Sequence, residues 1–242
     1  MNIRVIGRYG RFPVNGGGTS CFLIESDKAA ILLDMGCSSL SRFQKFTSLD
    51  KLSAIILTHL HADHIADFKA FTYMTSILKS ECRLKRDIPV YMPKSPEWLY
   101  NDLIECKGIE FHILQDLMSA NIEDLMLQFY KMVHPVETYG VRISGNGKTI
   151  AYTSDTLVND NLTALLDGVD LAVGDACISD KDHNSSSPHL SVKQLAEAAK
   201  NAKVSRLMLA HLPDKGLDDI LSEARHYMPP SVLAEEEVSY KV

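Results

Sequence analysis

The sequence predicts layered β-sheets covered by helices, on two observations. Short apolar runs with strand character recur along all 242 residues, and segments with helical spacing alternate with them. A composition 45% hydrophobic and 23% charged supplies the core of one large globular domain.

Strands are expected at 3–7, 21–25, 30–34, 54–58, 90–92, 111–114, 126–133, 141–144, 149–153, 171–174, 206–210 and 232–236, the first on an alternation around Ile3, Val5 and Ile6. Helices are expected at 39–46, 65–79, 96–106, 162–166, 192–202 and 217–227. Ser191 followed by Gln194 is a capping-box pattern, and the helix behind it presents Leu195, Ala198, Ala199 and Ala202 on one face. Gly145, Asn146 and Gly147 tolerate the positive φ of a tight hairpin between two strands. Gly147, Lys148 and Thr149 mimic the end of a phosphate-binding loop, but Arg142 stands where that pattern needs glycine, so the hairpin reading is preferred. Lys79, Arg83, Lys85 and Arg86 read as a solvated basic surface. No repeat or linker stands out, and a single domain spanning 1–242 is expected.

The formal net charge of -6 gives no global attraction to polyanions, so any nucleic-acid contact would be local. Cys21, Cys37, Cys82, Cys106 and Cys177 are odd in number, widely spaced and without a CxxC pair. Neither a disulfide framework nor a thiolate zinc site is indicated. With no signal-peptide core and no run long enough for a bilayer, a cytoplasmic protein without membrane association is expected. There is no GxSxG elbow, no GxGxxG after the first strand and no basic stripe interleaved with aromatics.

The chemistry concentrates in THLHADH, residues 58–64, directly after the apolar run 54–57. Imidazoles and a carboxylate beside a hydrophobic core are costly unless paired, and a divalent cation satisfies several at once. In extended chain, His59 and His61 point to the same side. Asp63 and His64 then fall where the chain turns into a helix beginning near Ile65, aimed at a neighbouring position. His134, Asp155 and His211 each follow a predicted strand, where loops converge on rigid ends. Each has a plainer reading: a strand-end histidine is usually just hydrogen-bonded, and Asp155 could cap the turn at Thr156. Their joint occurrence downstream of HxHxDH favours two ions sharing one carboxylate.

With GRYGRF, GGGTSCFLIE, ILLDMG, VHPVETYGVRI, IAYTSDT, DLAVGDAC and HLSVKQLAEAAKNAKVSRLMLAHL, these residues make the chain resemble metallo-β-lactamase-fold hydrolases of the RNase Z-like phosphodiesterase branch, over nearly its whole length. The resemblance implies an α+β, four-layer αββα sandwich with a dinuclear site at one edge. The two divalent ions are normally zinc, although manganese and iron suit the same donors. It implies that His59, His61 and His134 hold the first ion and Asp63, His64 and His211 the second, with Asp155 bridging. Asp34 matches a carboxylate that orients a ligand imidazole, or is a plain turn aspartate. His189 in PHLS resembles the branch's additional catalytic histidine. Asp175 stands in place of a glutamate paired with it, and the shorter side chain is expected to loosen that pair. Either residue could instead be structural.

In tRNA-maturing RNase Z enzymes a long arm separates the ligands matching His134 and Asp155. Here two strands and the 145–147 turn fill that interval, so tRNA is not the expected substrate. The resemblance implies instead a small phosphodiester, such as a cyclic nucleotide, a cyclic sugar phosphate or a short oligonucleotide. A hydroxide activated by the metal pair would attack it, with Asp63, His189 and Asp175 counted as catalytic. One rival keeps the metals but cleaves a lactone, thioester or lactam. Another is a non-catalytic metal-stabilised binding module, which a lost ligand would mark; none of the seven is missing. The sequence leaves a homodimer open.

Overall fold

The computed structural model describes residues 1–242. Its first part runs β1 Asn2–Gly7, β2 Cys21–Glu25, β3 Ala30–Leu33, α1 Ser39–Phe43, β4 Ala54–Ile56, α2 Ala62–Ile65, α3 Phe68–Ser80, β5 Ile88–Met92, α4 Glu97–Ile104 and β6 Ile109–Ile113. Its second part runs β7 Ser119–Ile122, β8 Leu125–Met132, β9 Thr138–Gly145, β10 Lys148–Tyr152, α5 Asp160–Leu166, β11 Leu171–Asp175, α6 Val192–Asn201, β12 Arg206–Ala210, α7 Leu217–Tyr227 and β13 Ser231–Leu233. β14 Ser239–Lys241 then returns to β1.

Two seven-stranded sheets result, in the orders β14-β1-β2-β3-β4-β5-β6 and β13-β12-β11-β10-β9-β8-β7. They follow one plan. The first is antiparallel from β14 to β3 and parallel from β3 to β6. The second is antiparallel from β7 to β10 and parallel from β10 to β13.

Period-two alternation divides the apolar side chains among three cores. Phe22 and Ile24 of β2 meet Phe129 of β8 and Val141 of β9 between the sheets. The other face of the first sheet, through Cys21, Leu23 and Ile55, packs on Phe43, Phe68 and Phe71 of α1 and α3. The other face of the second, through Ala151, Ala172 and Leu209, packs on Leu165 of α5, Leu195 of α6 and Ile220 of α7. The product is the four-layer αββα sandwich that the resemblance implies. Each fully buried phenylalanine is worth about 1.5–3 kcal/mol of transfer free energy, so the five at 0% exposure weld adjacent layers together.

Local signals behave as chemistry requires. Ser191 Oγ accepts the Gln194 N–H and Gln194 Oε1 accepts the Ser191 N–H, closing the capping box. On that helix Leu195, Ala199 and Ala202 are buried and Ala198 is half-buried, while Val192 and Ala196 complete the inner face. Asn146 and Gly147, at φ 53° and 71°, form the two-residue turn that sets Gly145 opposite Lys148. In the basic loop Lys79 pairs with Asp87 and Arg83 with Glu81.

Two corrections follow. The helix expected over 65–79 is divided into α2 and α3, because the chain between them is pinned to the segment after β3. Asp67 N–H donates to the Met35 carbonyl, Asp67 Oδ2 accepts from Leu40 N–H, and Met35 N–H donates to the His64 carbonyl. The edge strands β7 and β14 were not expected, since their short polar sequences are ordered by pairing with β8 and β1. No helix is long and apolar enough to cross a membrane, and all five cysteines are free.

Candidate metal centre

Strand ends from both sheets meet at one rim. Asp34 follows β3, His59 follows β4, His134 follows β8, Asp155 follows β10, Asp175 ends β11 and His211 follows β12. The backbone is turned sharply there: Arg11, Asp34, Ser154 and His211 have φ of 60°, 58°, 53° and 52°. Such left-handed residues cost about 1–3 kcal/mol each, and packing at the rim sustains them while it re-aims their side chains.

All seven expected ligands converge, in two groups that share Asp155. One contains His59, His61 and His134, the other Asp63, His64 and His211, and within each group the donor atoms lie within 4.8 Å of one another. Asp63 and His64 sit inside the single turn of α2, rather than ahead of a helix at Ile65, and His61 is its extended N-cap.

In the first group the rings are backed by neutral partners. His59 Nε2 and His134 Nε2 lie 3.1 and 3.2 Å from His61 Nδ1. His134 Nδ1 donates to the Pro188 carbonyl at 3.1 Å, so its neutral ring offers the Nε2 lone pair. His59 Nδ1 is 3.3 Å from the hydroxyls of both Thr58 and Ser154. Burial and the neighbouring imidazoles push His59 well below the ordinary histidine range, and burial also lowers His61 and His134. These rings are poised neutral.

In the second group carboxylates stand behind the rings. His64 Nδ1 donates to Asp34 Oδ2 at 2.7 Å, and His211 Nδ1 lies 3.2 Å from Asp175 Oδ1. His211 Nε2 is 3.0 Å from Asp63 Oδ2 and 3.4 Å from Asp155 Oδ2. Burial opposes protonation, but Asp155 and Asp34 push His64 up to about 10. Asp155 and Asp175 likewise raise His211 against burial. Asp63, despite burial, is held well below the usual carboxylate range by its hydrogen bond to His211 and by His64.

Asp34 is fully buried and more than a turn residue. Besides His64 it accepts the Thr58 N–H at 2.8 Å, the Thr58 hydroxyl at 3.0 Å and the Tyr152 hydroxyl at 2.8 Å. Asp175 Oδ2 receives His189 Nδ1 at 2.7 Å, so the shorter side chain does not loosen that pair. Its other oxygen faces His211, tying His189 to the second group. The His189 ring lies 5.3 Å from those of both His134 and His211. Burial works against its charge, yet hydrogen bonding to Asp175, aided by Cys177, pushes it up to about 10.

The donors fit divalent cations. Asp155 Oδ1 is buried without a hydrogen-bond partner, its charged neighbour His64 Nε2 standing 3.4 Å away, and a cation would complete its neutralisation. Nitrogen and oxygen donors of this kind suit zinc, manganese or iron.

Other contributors were invisible in the sequence. Arg11 N–H donates to Asp63 Oδ2 at 2.9 Å. A Cβ on Gly10 would come 2.6 Å from the His211 ring, so that position has room for glycine alone. Both lie in GRYGRF, whose composition carries no hint of these contacts. A polar cavity of about 500 Å³ opens beside the centre, with Arg11, Cys177, Pro188 and Lys215 among its walls.

Facing sheets with helices outside and a buried histidine–aspartate cluster at the strand ends define a protein of the metallo-β-lactamase fold. Residues 30–212 match the model of the Beta-lactamase superfamily domain, and the chain belongs to that family. Probable metallo-hydrolase YhfI of Bacillus subtilis is 29% identical over 224 residues, covering 91% of each chain. The crystal structure of the metallo-beta-lactamase fold protein YhfI from Bacillus subtilis superposes with a TM-score of 0.90 at 26% identity, over 99% of this chain and 98% of that one. The short form of human tRNase Z superposes at 0.78 with 19% identity, over 100% and 99% of the chains. A diphosphatase from the PhnP family superposes at 0.75 with 16% identity, over 100% and 97%. These last two share the fold.

Proposed function

We propose that the chain is a metal-dependent hydrolase that cleaves a small phosphodiester. The observation that carries this reading is the His189–Asp175 pair, 2.7 Å long, set beside two metal-binding groups that share one carboxylate. The similarity to a probable metallo-hydrolase supports hydrolysis, and the shared fold of a tRNase Z and a PhnP-family diphosphatase supports phosphate chemistry.

In this reading His59, His61 and His134 hold one ion, Asp63, His64 and His211 the other, and Asp155 both. Divalent cations held there, zinc in the first instance, would supply a water acidified into the neutral range and charge to neutralise phosphoryl oxygens. His189, raised to about 10, carries two ring protons at neutral pH. Asp175 accepts a hydrogen bond from Nδ1–H, which leaves Nε2–H to protonate the departing oxygen. Asp63, fixed by Arg11 N–H and His211, keeps the second group in register. A two-residue turn joins β9 to β10, leaving no arm to grip tRNA, and a 500 Å³ cavity suits a small ligand. A cyclic nucleotide, a cyclic sugar phosphate or a short oligonucleotide meets those limits.

The test is a hydrolysis panel on metal-analysed protein: bis-p-nitrophenyl phosphate, nitrocefin and acyl-homoserine lactones. Turnover of the phosphodiester is expected. Turnover confined to the lactam or the lactones would overturn the reading.

A further inference from the structure

Beside the two groups around Asp155 lies a third. Asp175, Cys177, His189 and His211 bring a carboxylate oxygen, a sulfur and two ring nitrogens within 4.8 Å of one another. Cys177 is 5% exposed, and its N–H donates to Asp175 Oδ1 at 3.2 Å, which ties the loop after β11 to that carboxylate. Cys177 also borders the 500 Å³ cavity, so an ion has a route from solvent.

The donors differ in kind from those around Asp155. A thiolate, an imidazole and a carboxylate hold zinc at about 2.3, 2.0–2.1 and 2.0–2.2 Å, so a cluster already within 4.8 Å has to close by roughly an ångström. His211 turns Nε2 toward Asp63 and Asp155, which commits it to the second group. The remaining three donors are Asp175, Cys177 and His189.

We propose that Asp175, Cys177 and His189 form a separate, inhibitory site for a thiophilic divalent cation, zinc or cadmium, which disarms His189. Binding releases one proton from the thiol and one from His189 Nδ1 to solvent, and no electrons move. The ring then exchanges its hydrogen bond to Asp175 for a metal bond. A ring held by the ion has lost the hydrogen bond to Asp175 that aims it, so its remaining N–H is no longer presented to the departing oxygen. Occupancy of this site stands on its own; its inhibitory effect rests on the role given above to His189.

The experiment titrates cadmium into the metal-loaded protein, wild type and Cys177→Ser. Bound equivalents, ultraviolet thiolate–cadmium absorption and turnover of whichever panel ester the protein hydrolyses are followed together. Wild type is expected to take up one equivalent beyond its resident ions, to gain the thiolate absorption and to slow at least tenfold. Cys177→Ser should keep its resident ions while losing the extra equivalent, the absorption and the slowing by cadmium, the slowing read against its own cadmium-free turnover. Identical titrations of the two proteins, or an extra ion in wild type without thiolate absorption or without slowing, would overturn the proposal. Should the variant not fold, peptide mapping of wild type alkylated with iodoacetamide decides: zinc should shield Cys177, and equal labelling with and without zinc refutes the site. A chain that cleaves lactones but not phosphodiesters would overturn the substrate reading and leave occupancy of this site intact.

Discussion

His59 and His64 belong to one short motif, both are fully buried and their rings lie 4.0 Å apart, yet burial drives the first toward neutrality while Asp155 and Asp34 hold the second protonated. The difference lies in what stands behind each ring. His59 and His134 lean on hydroxyls and a carbonyl, neutral dipoles that stabilise a charged ring far less than a carboxylate does. His64 and His211 lean on Asp34 and Asp175. An ion entering the first group would meet free lone pairs, whereas one entering the second would have to displace protons from His64 and His211. On the proposed two-ion reading, two adjacent positions built from similar side chains would differ in how steeply pH governs their occupancy.

The harshest way to break the comparison is to remove what the halves share. Asp155→Ala should leave at most one ion per chain and reduce hydrolysis to background, measured by elemental analysis and the ester panel. A variant that keeps two ions rules out the bridge. His189→Ala probes the region beyond both halves: metal content should stay unchanged while turnover falls about a hundredfold or more. Unchanged turnover removes His189 from the chemistry. Asp34→Asn falls mainly on the second half, weakening its ion roughly 10- to 100-fold in competition with a chelator and the first ion less, through Thr58 behind His59. Equal weakening of both ions would erase the distinction drawn here.

The smallest effect is on the stability of chelator-treated protein, and its sign differs between the halves. His64, raised from 6.5 to about 10, contributes stability that is complete below about 6.5 and is lost as pH rises through about 10. His59, His61 and His134 are lowered from 6.5, so the unfolded chain takes up protons that the folded one refuses, and stability falls as pH drops below about 6.5. Urea midpoints across pH should decline on both sides of neutrality, and Asp34→Asn should flatten the alkaline side. An unaltered alkaline limb would place the dependence elsewhere.

Much of this centre was legible because its candidate ligands are reactive side chains at the ends of apolar runs. THLHADH closes β4, and His134, Asp155 and His211 each follow a strand the sequence marks clearly. What supports the ligands was less legible, because support comes from across the fold. Asp34 draws on Tyr152 of the opposite sheet, His134 on the carbonyl of Pro188, and Asp63 on the backbone of Arg11. The double reach of Asp175 to His189 and His211 depends on β11 and β12 lying side by side, with Asp175 opposite Ala210. The same holds for the fold: β7 and β14 owe their order to partners, and the break between α2 and α3 to hydrogen bonds from Met35 and Leu40.

Anomalous diffraction from crystals of the zinc-loaded protein addresses the two-cation arrangement most directly. The account predicts two peaks about 3.5–4 Å apart, one against His59, His61 and His134, the other against Asp63, His64 and His211, with Asp155 touching both. A single peak, or a pair of which either lies outside those residues, would contradict it.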